Sequence, residues 1–118
     1  MGKYDTYVDA WRDRLNKEKA ELEGRHVHAL RKAKECAEVL KKEFGAKRVI
    51  LYGSVLHPDI FTLHSDIDLA VEGIKESEFY YAGARVDAIA GDITVDLTPI
   101  EDTKPYILDS IEEEGIIL

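Results

Sequence analysis

The apolar residues keep a helical rhythm for the first 45 positions and then lose it. Tyr4, Tyr7, Val8, Trp11 and Leu15 recur at three- and four-residue spacing, ahead of the charged run NKEKAELEG. A second stripe follows in Leu30, Ala33, Ala37, Leu40 and Phe44, with Arg31, Glu35, Glu38 and Lys42 on the opposite face. Gly24 lies between the two stripes and predicts a break or kink, because glycine costs about 1 kcal/mol inside a helix. Gly45 stands where a left-handed C-terminal cap would end the second helix.

Beyond Gly45 the period shortens. KRVILYG (47–53) is β-branched and apolar and reads as a buried strand. SDIDLAV (65–71) alternates, with Ile67, Leu69 and Val71 on one face and Asp66, Asp68 and Ala70 on the other. Phe79, Ala82, Val86 and Ile89 restore a helical stripe, with Ser77 as its expected N-cap. ITVDLTP (93–99) alternates again, and Asp96 falls on its polar side. A last helix is expected to start near Asp102 or Thr103 with Pro105 in its first turn and to stop at Gly115. The closing IIL reads as a short edge strand. The order is two helices, strand, loop or short helix, strand, helix, strand, helix. It predicts an α/β or α+β protein with a small mixed sheet flanked by helices. A single domain over residues 1–118 is expected, with an N-terminal helical extension (1–24) and a core (25–118).

Charge and cysteine content narrow the function classes. The net charge is −8, which argues against direct nucleic-acid binding through a basic face. It leaves room for a small polyphosphate carried in with its own cation. Cys36, the single cysteine, forms no intramolecular disulfide and suits a reducing compartment. No signal-peptide-like apolar segment opens the sequence, and no apolar run approaches a membrane span. A cytoplasmic location is expected.

The candidate chemistry lies in LYGSVLHPDIFTLHSDIDLAV (51–71). Aspartate is depleted in strands, yet Asp66 and Asp68 share one strand face. If the strand bearing Asp96 is a neighbour, three carboxylates converge, and their repulsion calls for a cation. Oxygen donors of this kind suit Mg²⁺ or Mn²⁺. Gly53 lets backbone N–H groups approach a ligand, and Ser54 adds a hydroxyl; a helix starting just after them would favour phosphate further. The other histidines and acids carry less. His26 and His28 lie two apart on a helix, cannot share an ion, and read as solvated. Cys36 reads as a small core residue.

With those residues assembled, the chain resembles the minimal nucleotidyltransferases of the DNA polymerase β-like superfamily, in particular their antitoxin type. That signature is Gly-Ser, a spacer, Asp-x-Asp and a third strand-borne Asp. Gly53, Ser54, Asp66, Asp68 and Asp96 match it over roughly residues 30–118. The spacer here is eleven residues, and Val55, Leu56, His57 and Pro58 stand where active members often carry Arg and Gly. The resemblance implies transfer of a nucleoside monophosphate, usually AMP from ATP, to a hydroxyl. Asp66, Asp68 and Asp96 would hold Mg²⁺ or Mn²⁺, Asp96 would also help deprotonate the acceptor, and Gly53 and Ser54 would hold the triphosphate. It further implies a HEPN-domain toxin as protein partner, modified by AMP transfer. The alternative is a catalytically weak nucleotide-binding module that masks such a partner sterically. The N-terminal stripe either packs on the sheet or forms a partner or homo-oligomer surface.

Overall fold

The computed structural model describes residues 3–118; the side chain of Tyr4, first in the N-terminal stripe, lies outside the described residues. One helix, α1 (Lys3–Phe44), replaces the two expected. Gly24 does not break it. The glycine is exposed, and a Cβ there would point into open space, so its only penalty is the ~1 kcal/mol of intrinsic propensity. Glu, Lys, Ala and Leu on both sides, all strong helix formers, outweigh that cost. At 1.5 Å per residue the helix is about 63 Å long, which accounts for most of the 67 Å extent of the molecule.

The remaining elements are β1 (Arg48–Tyr52), β2 (Ile67–Glu72), α2 (Glu76–Ala90), β3 (Val95–Pro99), α3 (Pro105–Glu114) and β4 (Ile116–Ile117), with 3₁₀ turns at Ser54–Leu56 and Ile100–Asp102. The four strands form one mixed sheet in the order β3-β2-β1-β4. β1 pairs antiparallel with both β2 and β4, and β2 runs parallel to β3 with α2 as the crossover. This is a mixed α+β architecture. The expected edge strand at the C-terminus is β4. Ser77 is not the cap of α2: Lys75 precedes its first turn, without a side-chain capping bond.

Alternation along the strands sends two sets of side chains to two cores. Val49, Leu51, Ile67, Leu69, Val71 and Val95 pack with α1 and α2. Small residues on α1, namely Ala29, Ala33, Cys36 and Ala37, let that helix come close to the sheet, and Leu40 fills the deeper space. Ala82, Val86 and Ala90 are the matching face of α2. Ile50 and Ala70 point the other way, under Ile100 and Ile111. Gly115 lets the chain turn tightly under α3, since a Cβ there would overlap the Ile50 side chain and the Ile111 carbonyl.

Cys36 occupies the core as expected: it is fully buried, and burial pushes its thiol up to about 11. Such a thiol presents almost no thiolate at neutral pH. The folded protein should therefore leave Ellman's reagent unreacted for hours, with one equivalent released on denaturation. Rapid reaction under native conditions would contradict this packing.

Candidate active site

The carboxylates stand on the sheet face that α1 and α2 leave uncovered. The parallel register places Asp68 of β2 directly beside Asp96 of β3, and the antiparallel register places Tyr52 of β1 on the other side of Asp68. The strands of Asp68 and Asp96 are neighbours, as a convergence of the carboxylates requires. Asp66 differs from expectation: it is exposed and lies just before β2, which starts at Ile67. Among the described residues no three His, Cys, Asp or Glu side chains close into a metal-ligand cluster. Asp68 and Asp96 form the core of the constellation, and Asp66 is its outer member.

Asp68 bears the electrostatic strain. It is half-buried, and its carboxyl is raised to about 6, first by burial, then by the charge of Asp96, then by that of Asp66. Gly53 is what lets Asp68 sit there. The glycine has φ +85° and ψ −159°, and a Cβ on it would overlap an Asp68 carboxylate oxygen. Gly53 of the Gly-Ser motif and Asp68 are thus packed directly against each other. An all-oxygen donor set, a carboxylate held at an electrostatic cost and a backbone cradle that a Cβ would fill fit a hard divalent cation.

After Gly53 the chain makes a single 3₁₀ turn, Ser54–Leu56, rather than a helix. The turn closes through Leu56 N–H to the Gly53 carbonyl (3.1 Å) and His57 N–H to the Ser54 carbonyl (2.9 Å). So short a turn has no helix dipole to offer a phosphate, and that part of the expected cradle is absent. The spacer is nonetheless well packed. Val55 and Phe61 are buried in the main core, and Ser65 accepts from Thr62 N–H at 2.8 Å. Val55 therefore cannot reach a ligand.

Several residues escaped the sequence reading. His26 is not solvated: its Nε2 donates to the Val55 carbonyl at 2.6 Å, and its ring meets Phe61 edge-on. A carbonyl only accepts, so Nε2 carries the proton. His26 thereby ties α1 to the turn that bears Ser54. Removing the donor in His26→Ala should cost about 1–2 kcal/mol in urea unfolding and weaken nucleotide binding, whereas His28→Ala should do neither. Equal effects at both positions would contradict the role given to His26. His28 instead faces Asp92 on the surface, along with Arg25.

Tyr52 was also missed, although its place directly before Gly53 was a usable signal. Its hydroxyl bonds the Thr98 hydroxyl at 3.0 Å, which spans β2 above Ala70. Burial first, then the charges of Asp68 and Asp96, raise its phenol further, so it stays neutral. Tyr52 and Thr98 form one wall of a cavity of about 720 Å³. Asp102, Thr103, Lys104, Tyr106, Ile107, Ser110 and Ile111 line the rest, and Tyr52 joins it to Asp68 by register. The volume falls in the range of small-molecule sites.

The family model for polymerase beta nucleotidyltransferases matches residues 34–118. The chain belongs to this nucleotidyltransferase family. No curated protein matches it in sequence. The matched span of the nucleotidyltransferase begins inside α1 and includes all four strands, Gly53, Ser54 and the three aspartates. The first 33 residues lie outside it. No helix among the described residues is long and apolar enough to cross a membrane.

Proposed function

We propose that this nucleotidyltransferase moves a nucleoside monophosphate, AMP from ATP, onto a hydroxyl of a partner protein, in the manner of an antitoxin acting on a HEPN-domain toxin. The observation that carries the reading is the contact of Gly53 with Asp68, itself in register with Asp96, within the family's fold.

In this reading Asp66, Asp68 and Asp96 hold Mg²⁺ or Mn²⁺, which would neutralise charge on the phosphates and on the departing oxygen. Gly53 N–H and the Ser54 hydroxyl bind the triphosphate. Asp96, the exposed member of the pair, takes the proton of the acceptor hydroxyl. The hydroxyl oxygen forms a bond to the α-phosphorus, the α–β phosphoanhydride breaks, and pyrophosphate leaves. The cavity bounded by Tyr52 and Tyr106 offers aromatic and hydroxyl-bearing walls for the nucleoside. Lys104 on its rim is a cation on the face that would receive the polyphosphate.

One observation favours a second reading, a nucleotide-binding module that neutralises its partner by masking. The turn after Ser54 offers no Lys or Arg: Val55 is buried, and Leu56 and His57 follow. Neutralisation of the partner by Asp66→Ala/Asp68→Ala separates the two. Loss of neutralisation with the complex intact supports catalysis, and full neutralisation supports masking.

A further inference from the structure

The first four turns of α1 stand apart from the body. Every side chain from Asp5 to Glu21 is exposed. Among them are Tyr7 (65 %), Val8 (47 %), Trp11 (57 %) and Leu15 (43 %). An isolated helical arm of this length is marginal in water, and an exposed aromatic stripe on it marks an interaction surface. From Tyr7 to Leu15 the stripe does not pack on the sheet.

Its spacing is that of a single heptad of a coiled-coil seam. Val8, Trp11 and Leu15 follow the alternating three- and four-residue steps of core positions, and Glu18 ends the run. Asp5 and Arg12 flank one side of the seam, and Tyr7 and Arg14 flank the other. We propose that this arm pairs with the arm of a second copy of the chain, antiparallel and centred between Val8 and Trp11.

The charges select that arrangement. In the antiparallel register, Val8 of each copy packs against Trp11 of the other. Flanking positions then meet like with like: Arg12 faces Asp5 of the second copy, and Arg14 lies beside its Tyr7 ring, each contact made twice by symmetry. A shift to the next longer overlap sets Arg12 against Arg12 and drives Glu18 onto Val8. A parallel pair would bring Arg14 beside Lys19 and set two bodies of net charge −8 next to one another. The antiparallel pair puts the bodies at opposite ends. The overlap buries on the order of 1,000 Å² in total, at the low end for specific complexes, so association is weak and concentration-dependent. None of these residues belongs to the candidate active site, so the pairing stands or falls apart from the transferase reading.

Sedimentation velocity on the full chain from about 1 to 200 µM, at low salt, tests it. A monomer–dimer equilibrium is expected in that range. Arg12→Asp should weaken it at least about tenfold, and Asp5→Arg/Arg12→Asp should restore it to near the wild-type value. Trp11→Ser should also weaken it about tenfold or more, with the near-ultraviolet signal of the tyrosines in the body checking that the fold is kept. The charge-swapped double variant keeps the test decisive if a single variant frays the arm. A chain monomeric at every concentration overturns the proposal and leaves the arm to a different protein. A dimer indifferent to Arg12→Asp, or one the double variant fails to restore, overturns it as well.

Discussion

Asp68→Asn is expected to lower nucleotidyl transfer by roughly 1,000-fold or more, equivalent to about 4 kcal/mol of transition-state stabilisation. The amide keeps the shape of the side chain, so the loss reports charge and not packing. The same change should stabilise the protein without its ligands. Asp68 has its carboxyl raised from 3.8 to about 6 by burial and by Asp96 and Asp66. A raised carboxyl contributes stability that is complete below pH 3.8 and is lost as pH climbs through 6. Because the group is half-open to solvent, that loss is about 1 kcal/mol after screening. Wild-type protein should therefore fall in Tm relative to Asp68→Asn as pH rises from about 4 through about 6, with a constant offset above pH 7 and convergence below pH 4. Added Mn²⁺ should raise the wild-type Tm more at pH 8 than at pH 5, and leave Asp68→Asn nearly unmoved. An activity loss without this divergence in pH-dependence would remove Asp68 from the centre of the site.

Gly53→Ala should be nearly as damaging by a different route. The backbone at this position, φ +85° and ψ −159°, is one that only glycine adopts without strain, at a cost of about 1–3 kcal/mol for another residue. The added methyl would also overlap the Asp68 carboxylate. Either the strand end moves or Asp68 does, and a displacement of this kind at the reacting centre costs on the order of 100-fold in rate. Urea unfolding and single-turnover transfer on the same variant separate the two effects. Gly73→Ala is the control, since it too has a positive φ (+93°) and a crowded Cβ position, but beside Lys47. It should lose stability while retaining activity. A Gly53→Ala variant that loses stability alone would show that the Gly-Ser corner shapes the fold without serving the chemistry.

How far the sequence foretold this molecule depended on the range of the interactions involved. β1 was legible as a β-branched apolar run, and the β2 and β3 alternation, the polar phase of Asp68 and Asp96, and the closing edge strand were legible as well, because a two-residue period assigns faces without knowledge of neighbours. The pairing of Asp68 with Asp96 also required β2 and β3 to be adjacent and parallel, which the intervening α2 made the natural topology. Three features were not legible. The continuity of α1 through Gly24 depends on a sum of weak propensities, where one glycine carries too little weight to break the helix. The start of β2 at Ile67 leaves Asp66 outside the ladder, a boundary set by the hydrogen bond from Ile67 N–H to Thr94 at 2.9 Å. The role of His26 rests on contacts 29 and 35 residues away, with Val55 and Phe61, and no local pattern announces them. The exposed arm shows that the stripe from Tyr7 to Leu15 does not meet the body, which the stripe alone could not tell, because an apolar face looks the same in sequence whether or not the body covers it.

The central claim is that Asp68 and Asp96 serve transfer of a nucleotidyl group, and the position of the label decides it. The chain and its co-purified partner are incubated with Mg²⁺ or Mn²⁺ and ATP labelled at either the α- or the γ-phosphate. The account predicts that α-label becomes acid-stable on protein, that γ-label leaves as pyrophosphate, and that Asp66→Ala/Asp68→Ala abolishes the transfer. Label from the γ-position on the protein, or α-label that survives loss of both aspartates, would contradict it.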